Sequence, residues 1–320
     1  MIDTIQFGMQ DFIINKENKL TTKLFINNKT KQTYQSSFYN DEILNININE
    51  KGLSVKTNLS KLYGLGDNNF YPLGQNSINI AIKRTLPKLL SDIGIKADIN
   101  KAKIWRLDLF KNAFLSKSCL AYKDVLGSLN LKRTHNRQYP DGYLIANGQR
   151  EVMFYDKKKE LESKLGIYYI KEMGLYEKNI MRGELRLLKH RENKKNGIEY
   201  LIEIPDKWNL LIEIYNKFMK EIFKYEYEGE FEMNVETLKV LVNRAMIDLI
   251  VAGKEALEYY GLYPYTFVNR DELKNALNIH YKKAQVYKIL SDIEEARKKF
   301  IRRDKDYKKL YDELKAKFVA

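Results

Sequence analysis

A single cysteine, Cys119, stands in the 320 residues, so neither an intrachain disulfide nor a cysteine-held metal cluster can form. Histidine is almost as scarce. His135, His190 and His280 are scattered, which excludes a His-hydrophobic-His metal pair, an HExxH helix and a clustered catalytic triad. No apolar run approaches the roughly 20 residues of a membrane span. The opening MIDTIQFGMQDF carries an early Asp and no basic segment leading into an apolar stretch, so no secretory leader is expected. A phosphate-cradling Walker loop is missing too, because Gly64-Leu65-Gly66 is not followed by GK[ST]; any helicase working with this chain is expected to come from the host. These absences fit a soluble protein of a reducing cytoplasm with no membrane partner.

What is present is basic charge and tyrosine. Lys and Arg number 56 against 42 acidic residues, a formal +14 with a pI near 9.4, so the average surface attracts polyanions, nucleic acid first among them. Hydrophobic residues make up 44% and charged residues 31%, a globular composition with enough chain for two ordinary domains. There are 23 tyrosines and only 2 tryptophans, and a tyrosine offers both a stacking face for bases and a hydroxyl able to attack phosphorus. Most of these tyrosines serve as ordinary core and surface residues whatever the function.

The periodicity divides the chain. Up to about Asn79 it is mostly two, with strand-like runs at Thr4–Phe7, Lys23–Ile26, Glu42–Ile48 and Leu53–Thr57. Ser77–Ile93 changes to a helical stripe that ends at Gly94. Then come a strand at Ile104–Phe110, a helix at Ser118–Asn130, a hairpin from Gly142 to Tyr155 through Ala146-Asn147-Gly148, a helix at Asp156–Leu165 and a strand at Ile180–Leu188. Beyond Pro205 the pattern is helical: Lys207–Phe223, Val235–Tyr260, Arg270–Leu277 and Lys283–Phe318 carry apolar stripes at three- and four-residue spacing. The expected fold is α+β: a central antiparallel sheet with packed helices over residues 1–204, then an all-helical, basic domain over 205–320. Residues 281–320 hold 13 basic and 7 acidic side chains, among them Lys298, Lys299, Arg302 and Arg303, a run that reads as a DNA contact or as a solvated helix face used in self-association.

Three strands carry ionisable residues where such strands are normally apolar. In IWRLDLF, alternation places Arg106 and Asp108 opposite Trp105, Leu107 and Leu109. In IMRGELRLL it places Arg182, Glu184 and Arg186 together, with Gly183 on the other face at a point of close approach. Asp108 and Glu184, flanked by arginines, offer hard oxygen ligands for Mg²⁺ or Mn²⁺ against a phosphate; salt bridges on a charged sheet face are the alternative. In REVMFYDKKKEL, Glu151, Met153 and Tyr155 share a face, and Asp156, Lys157 and Glu160 fall on the turn that follows. A tyrosine beside a polarised phosphate, with a lysine two residues on, has what transesterification needs, although Tyr-x-Lys alone recurs by chance in a chain rich in both.

Taken in order, the segments GLSVKTNLSKLYGLGDNNFYPLGQNSINIAIKRTL, WRLDLFKN, GYLIANGQREVMFYDKKKEL and MRGELRLLKH resemble the replication initiators of the filamentous-phage gene II type and their plasmid relatives, over roughly residues 50–190. The most telling parts are LSVKTNLSKLYG with Asp67-Asn68-Asn69, the R-x-D-L strand, the Tyr-x-Lys…Glu segment and the R-x-E strand. The resemblance implies a rolling-circle initiator: a metal-dependent, site-specific endonuclease that nicks one origin strand, becomes linked through tyrosine to the 5′ phosphate and leaves a 3′ hydroxyl to prime synthesis. It makes Tyr155 the nucleophile with Lys157 beside it, Asp108 and Glu184 the acidic positions, and Arg106, Arg182 and Glu160 the flanking charges. The histidine pair of many such nucleases is missing, so carboxylates must hold the metal, with Glu160 preferred over Asp156 and Glu151 as third ligand. Arg106, Arg182, Arg186 and the basic helical run are the expected DNA contacts. Implied partners are single- and double-stranded origin DNA, host helicase and polymerase, and a second copy of the chain. A non-enzymatic origin-binding protein or repressor, and a metal-dependent nuclease using water, are the competing readings.

Overall fold

The computed structural model describes residues 1–26, 33–64, 69–129, 135–224, 235–301 and 305–319. Its main feature is an antiparallel sheet of ten strands: β1 (Ile2–Met9), β3 (Thr21–Ile26), β4 (Thr33–Asn40), β5 (Leu44–Asn49), β6 (Gly52–Asn58), β8 (Lys103–Leu115), β9 (His135–Tyr139), β10 (Gly142–Ala146), β11 (Arg150–Asp156) and β12 (Asn179–Leu187). They lie in the order β3-β4-β5-β6-β1-β8-β12-β11-β10-β9, and β2 (Phe12–Ile14) pairs with β7 (Ile95–Ala97) in a small second sheet. The α+β class expected from the periodicity is the one the chain adopts, with helices dominating after residue 235.

Local chemistry explains the elements. The β10–β11 hairpin closes where Asn147 Oδ1 accepts from the Gln149 and Arg150 amides, a side-chain-made turn that fixes the register Tyr143 with Phe154 and Leu144 with Met153. Asp156 ends β11 and caps the next helix, Lys157–Leu165, by accepting from the Lys159 amide at 3.1 Å. The helical stripe expected at Ser77–Ile93 runs from Gln75 to Asp92 and includes a π-helical turn, Ala81–Thr85, just before Pro87, which has no N–H to give to the regular ladder.

Period two divides the sheet into two faces. Ile5, Leu107, Val152, Phe154, Leu185 and Leu187 are wholly buried on one of them. Helix Trp208–Ile222 covers that face: Tyr215 donates to the Gly183 carbonyl at 3.1 Å, and the Phe154 ring meets Phe223 at 6.0 Å and Phe318 at 5.3 Å. Gly183 marks the closest approach. A Cβ there would stand 2.8 Å from Phe318 and 3.0 Å from the Tyr215 hydroxyl, so side chains rather than a ligand fill the gap at this glycine.

These contacts move the domain boundary. One compact unit comprises residues 1–120, 130–223 and 316–320; the other comprises 121–129 and 224–315. The division at 204 is corrected to 223, because the helix after Pro205 is amphipathic and its apolar side closes the sheet. The second unit has its own core of Ala245, Leu249, Ala256, Tyr265, Leu273, Leu277, Val286 and Leu290. The helix expected at Val235–Tyr260 is broken in two by Gly253, whose φ of +61° suits glycine. The helix expected at Lys283–Phe318 is found as Lys283–Ile301 and Lys305–Val319. No helix among the described residues is long and apolar enough to cross a membrane.

Candidate active site

The other face of the sheet carries charge. Register sets Arg186 opposite Asp108, Arg182 opposite Asn112, and Glu151, Met153 and Tyr155 opposite Arg186, Glu184 and Arg182 in turn. All three strands with unexpected ionisable residues are therefore neighbours in the middle of the sheet, and their charges share one side. Asp108 is buried, and Arg106 forks onto both its oxygens at 2.7–3.0 Å. Arg186 donates to Glu184 Oε1 at 2.6 Å and pairs with Glu151 at 3.4 Å. Desolvation lifts the Asp108 carboxyl to about 6, against the pull of Arg106, and the nearby Glu184 charge adds to the rise.

Tyr155 closes this ladder. Its hydroxyl donates to Glu184 Oε2 at 3.1 Å. Burial holds the phenol well above its usual range; Arg182 opposes that, while Glu184, Glu160 and Asp3 add to it. Arg182 is wholly buried, its guanidinium carbon 3.8 Å from the centre of the Phe110 ring. Its Nε donates to Asn112 Oδ1 at 2.8 Å and its Nη2 to the Asn69 carbonyl at 2.5 Å, with Nη1 3.7 Å from Asp3 Oδ1. Lys157 is buried as well and donates to Asn69 Oδ1 and Glu160 Oε2, both at 2.6 Å. Burial lowers the Lys157 ammonium to about 8, with Arg182 adding to the drop and Glu160 opposing it. Burial works to raise Glu160, but Lys157 and Lys164 overcome it and bring the carboxyl down to about 2.

The structure thus brings Tyr155, Glu184 and Arg182 together, ties Lys157 to Arg182 through Asn69, and sets the Arg106–Asp108 pair near Glu184. It does not bring Glu160 into a ligand set with Asp108 and Glu184, since no three His, Cys, Asp or Glu side chains among the described residues are grouped to hold an ion; both oxygens of Glu160 are held by Lys157 and Lys164, at 2.6 and 2.5 Å, as those of Asp108 are by Arg106 and those of Glu184 by Arg186 and Tyr155. Asp108 and Glu184 still fit a hard divalent ion in one respect. With Glu151 they set three carboxylates against two guanidiniums, and Mg²⁺ commonly takes only one or two carboxylates, drawing its other ligands from phosphate and water.

Among the expected DNA contacts, Arg106 and Arg186 keep about a quarter of their side chains exposed, at 24% and 23%. Arg182 is corrected from a surface contact to an interior charge. Lys298 is corrected as well: it is 5% exposed and pairs with Glu295 at 3.0 Å, so its charge is spent inside the helical unit. The side chain of Lys299, together with Arg302 and Arg303, lies outside the described residues, as do Asp67 and Asn68.

Three residues of the site carry no assignment from sequence. Asn69 grips Lys157 through its side-chain oxygen and Arg182 through its carbonyl, while its amide nitrogen donates to Asp3 Oδ1 at 2.7 Å. Asp3 also accepts from Asn58 at 2.9 Å and falls where the β1–β8 register shifts between Ile2 and Ile5. Asn112 orients Arg182. The Asp67-Asn68-Asn69 cluster and the even spacing of Asn112 from Asp108 are the signals that point to Asn69 and Asn112; nothing in the sequence pattern singles out Asp3.

Compared with known protein families, residues 1–210 match the family described as the N-terminal part of the phage replication-associated protein of gene II. No curated protein and no solved structure matches the chain.

Proposed function

Because the chain belongs to the family of gene II replication-associated proteins of phages, with the match covering the whole charged sheet face, we propose that it initiates DNA replication by nicking one origin strand through Tyr155. The observation that carries this reading is the Tyr155 hydroxyl donating to the Glu184 carboxylate at 3.1 Å, on a half-buried tyrosine that lies opposite the buried Arg182. A phenol with a reference pKa of about 10 is a poor nucleophile at neutral pH. Glu184 is placed to take its proton as attack begins, and the two buried cations offset the charge that develops on the oxygen.

In this mechanism the Tyr155 Oη–P bond forms as the P–O3′ bond breaks. The phenol proton goes to Glu184, and the departing oxygen takes a proton from water and leaves as a 3′ hydroxyl. One phosphodiester replaces another, so reversal reseals the strand without ATP. Arg106 and Arg186, partly open to solvent, are the groups able to meet the phosphate oxygens. Mg²⁺ or Mn²⁺ belongs to the same proposal: Asp108 and Glu184 would hold the ion, and when bound it would neutralise charge on the phosphate.

The test is a denaturing gel of labelled single-stranded origin oligonucleotide incubated with protein and Mn²⁺. A covalent protein–DNA band that is lost in Tyr155→Phe is the expected outcome. Free cut product without the band would assign the attack to water, and neither product would leave an origin-binding protein.

A further inference from the structure

The charged face continues past the site into exposed aromatic surface. Asn112 accepts from Arg182 with its oxygen and donates with its nitrogen to the carbonyl of Phe70 at 2.6 Å. Phe70 is buried in a small cluster with Leu161, Ile170, Leu175 and Ile180, and two further rings stand edge-on to it: Tyr71 at 4.9 Å and Phe114 at 6.3 Å. Those two are open to solvent, Tyr71 at 56% and Phe114 at 48%. Phe114 lies on the same strand and face as Arg106, Asp108 and Asn112, opposite Ile180. From Tyr155 it is two strands across and two residues along, about 12 Å at the usual sheet spacings.

We propose that Tyr71 and Phe114 form a stacking platform for unpaired bases that adjoin the scissile phosphate. This rests on the nicking reading, since it is the position of Tyr155 that makes the platform a substrate site. Buried Phe70 holds two exposed rings, and Phe114 stands about 12 Å along the same sheet face from the nucleophile, within reach of bases next to the cut. Aromatic faces accept any base, because every base has a π-face. An enzyme that needs its strand unpaired at the cut gains from holding the bases apart there. A docked protein would give those rings no reason to sit beside a phosphate-handling tyrosine, and that occupant is separated by the test.

The experiment uses the full chain and a dT12 oligonucleotide carrying one 2-aminopurine in its middle, whose fluorescence falls when the base stacks on an aromatic ring. The expected result is quenching on binding and, for Tyr71→Leu, an affinity about tenfold weaker with less quenching. Because stacking adds no phosphate contact, the slope of log affinity against log salt stays unchanged. Tyr71→Phe keeps both affinity and quenching, since only the ring is required, and Phe114→Leu repeats the loss. Equal affinity and equal quenching in wild type and Tyr71→Leu would overturn the platform, whether or not the Tyr155 adduct forms. Failure of the nicking reading shows separately, as wild-type protein that quenches the probe yet forms no adduct with origin DNA.

Discussion

Asn69 touches no phosphate in the proposed reaction, yet it sets the distance between the two cations beside Tyr155. Asn69→Ala is expected to slow adduct formation by about 10- to 100-fold, a positioning effect, while leaving Tyr155 itself intact. Single-turnover adduct formation on a short oligonucleotide measures this. The titrations add a pH profile. Asp108 at about 6 must be ionised to pair with Arg106 or hold a cation, so activity falls below that pH; Lys157 at about 8 loses its charge as pH rises, so activity falls above it. In Glu160→Gln the alkaline limb moves to lower pH, because the carboxylate that raises Lys157 is gone. The same variant has a stability signature. Glu160 is held down near 2, so its contribution is present above the ordinary carboxylate range of about 4.5 and is lost as pH falls from there towards 2. Thermal melts between pH 2 and 6 should show that loss in wild type and not in Glu160→Gln, whose buried ammonium has lost a counterion at a cost on the order of 2 kcal/mol.

At the scale of elements, the strands that build the site are legible in the sequence because each breaks a rule. Arg106, Asp108, Arg182, Glu184 and Arg186 interrupt runs that otherwise alternate towards a core, so they declare both the strand and its charged face. Strands β4, TYQSSFYN, and β9, HNRQY, are not legible: edge-side strands with few apolar residues carry no alternation to detect. Pairing across the sheet is equally hidden. Which carboxylate faces which arginine depends on register, and nothing in the chain says that Glu160 turns to Lys157 rather than to Asp108. Gly183 is legible as a close approach but not as to what approaches. Gly183→Val is expected to destabilise the first unit by about 1–3 kcal/mol through collision with Phe318, with a lower melting temperature as the readout and Gly183→Ala intermediate.

On the scale of the whole molecule, the two units have separate cores, and although residues 281–320 carry +6 of the chain's +14, Lys298 within that stretch is already paired. Lys298→Gln should therefore leave the salt dependence of DNA binding unchanged, since its ammonium already faces Glu295; a slope reduced by about 0.9 would mean that it reaches a phosphate. A boundary at 204 follows charge and helicity, which change there while packing does not. Deleting everything after Leu277 removes Phe318, which is wholly buried against Phe154, so such a truncation should lose the folded sheet as well as the helices. Joining residue 223 to 316 through a linker is the alteration that removes the 224–315 part of the helical unit, leaving its 121–129 segment, and keeps that ring. The sheet is thus finished by a residue made 131 positions after its last strand, Asn179–Leu187, has been synthesised. A chain still on the ribosome holds every charged group of the site but leaves the far side of their platform uncovered at Phe154. The charged face is therefore fully backed only once residue 318 has been made, and a chain shortened before it is expected to melt at a lower temperature than the full chain.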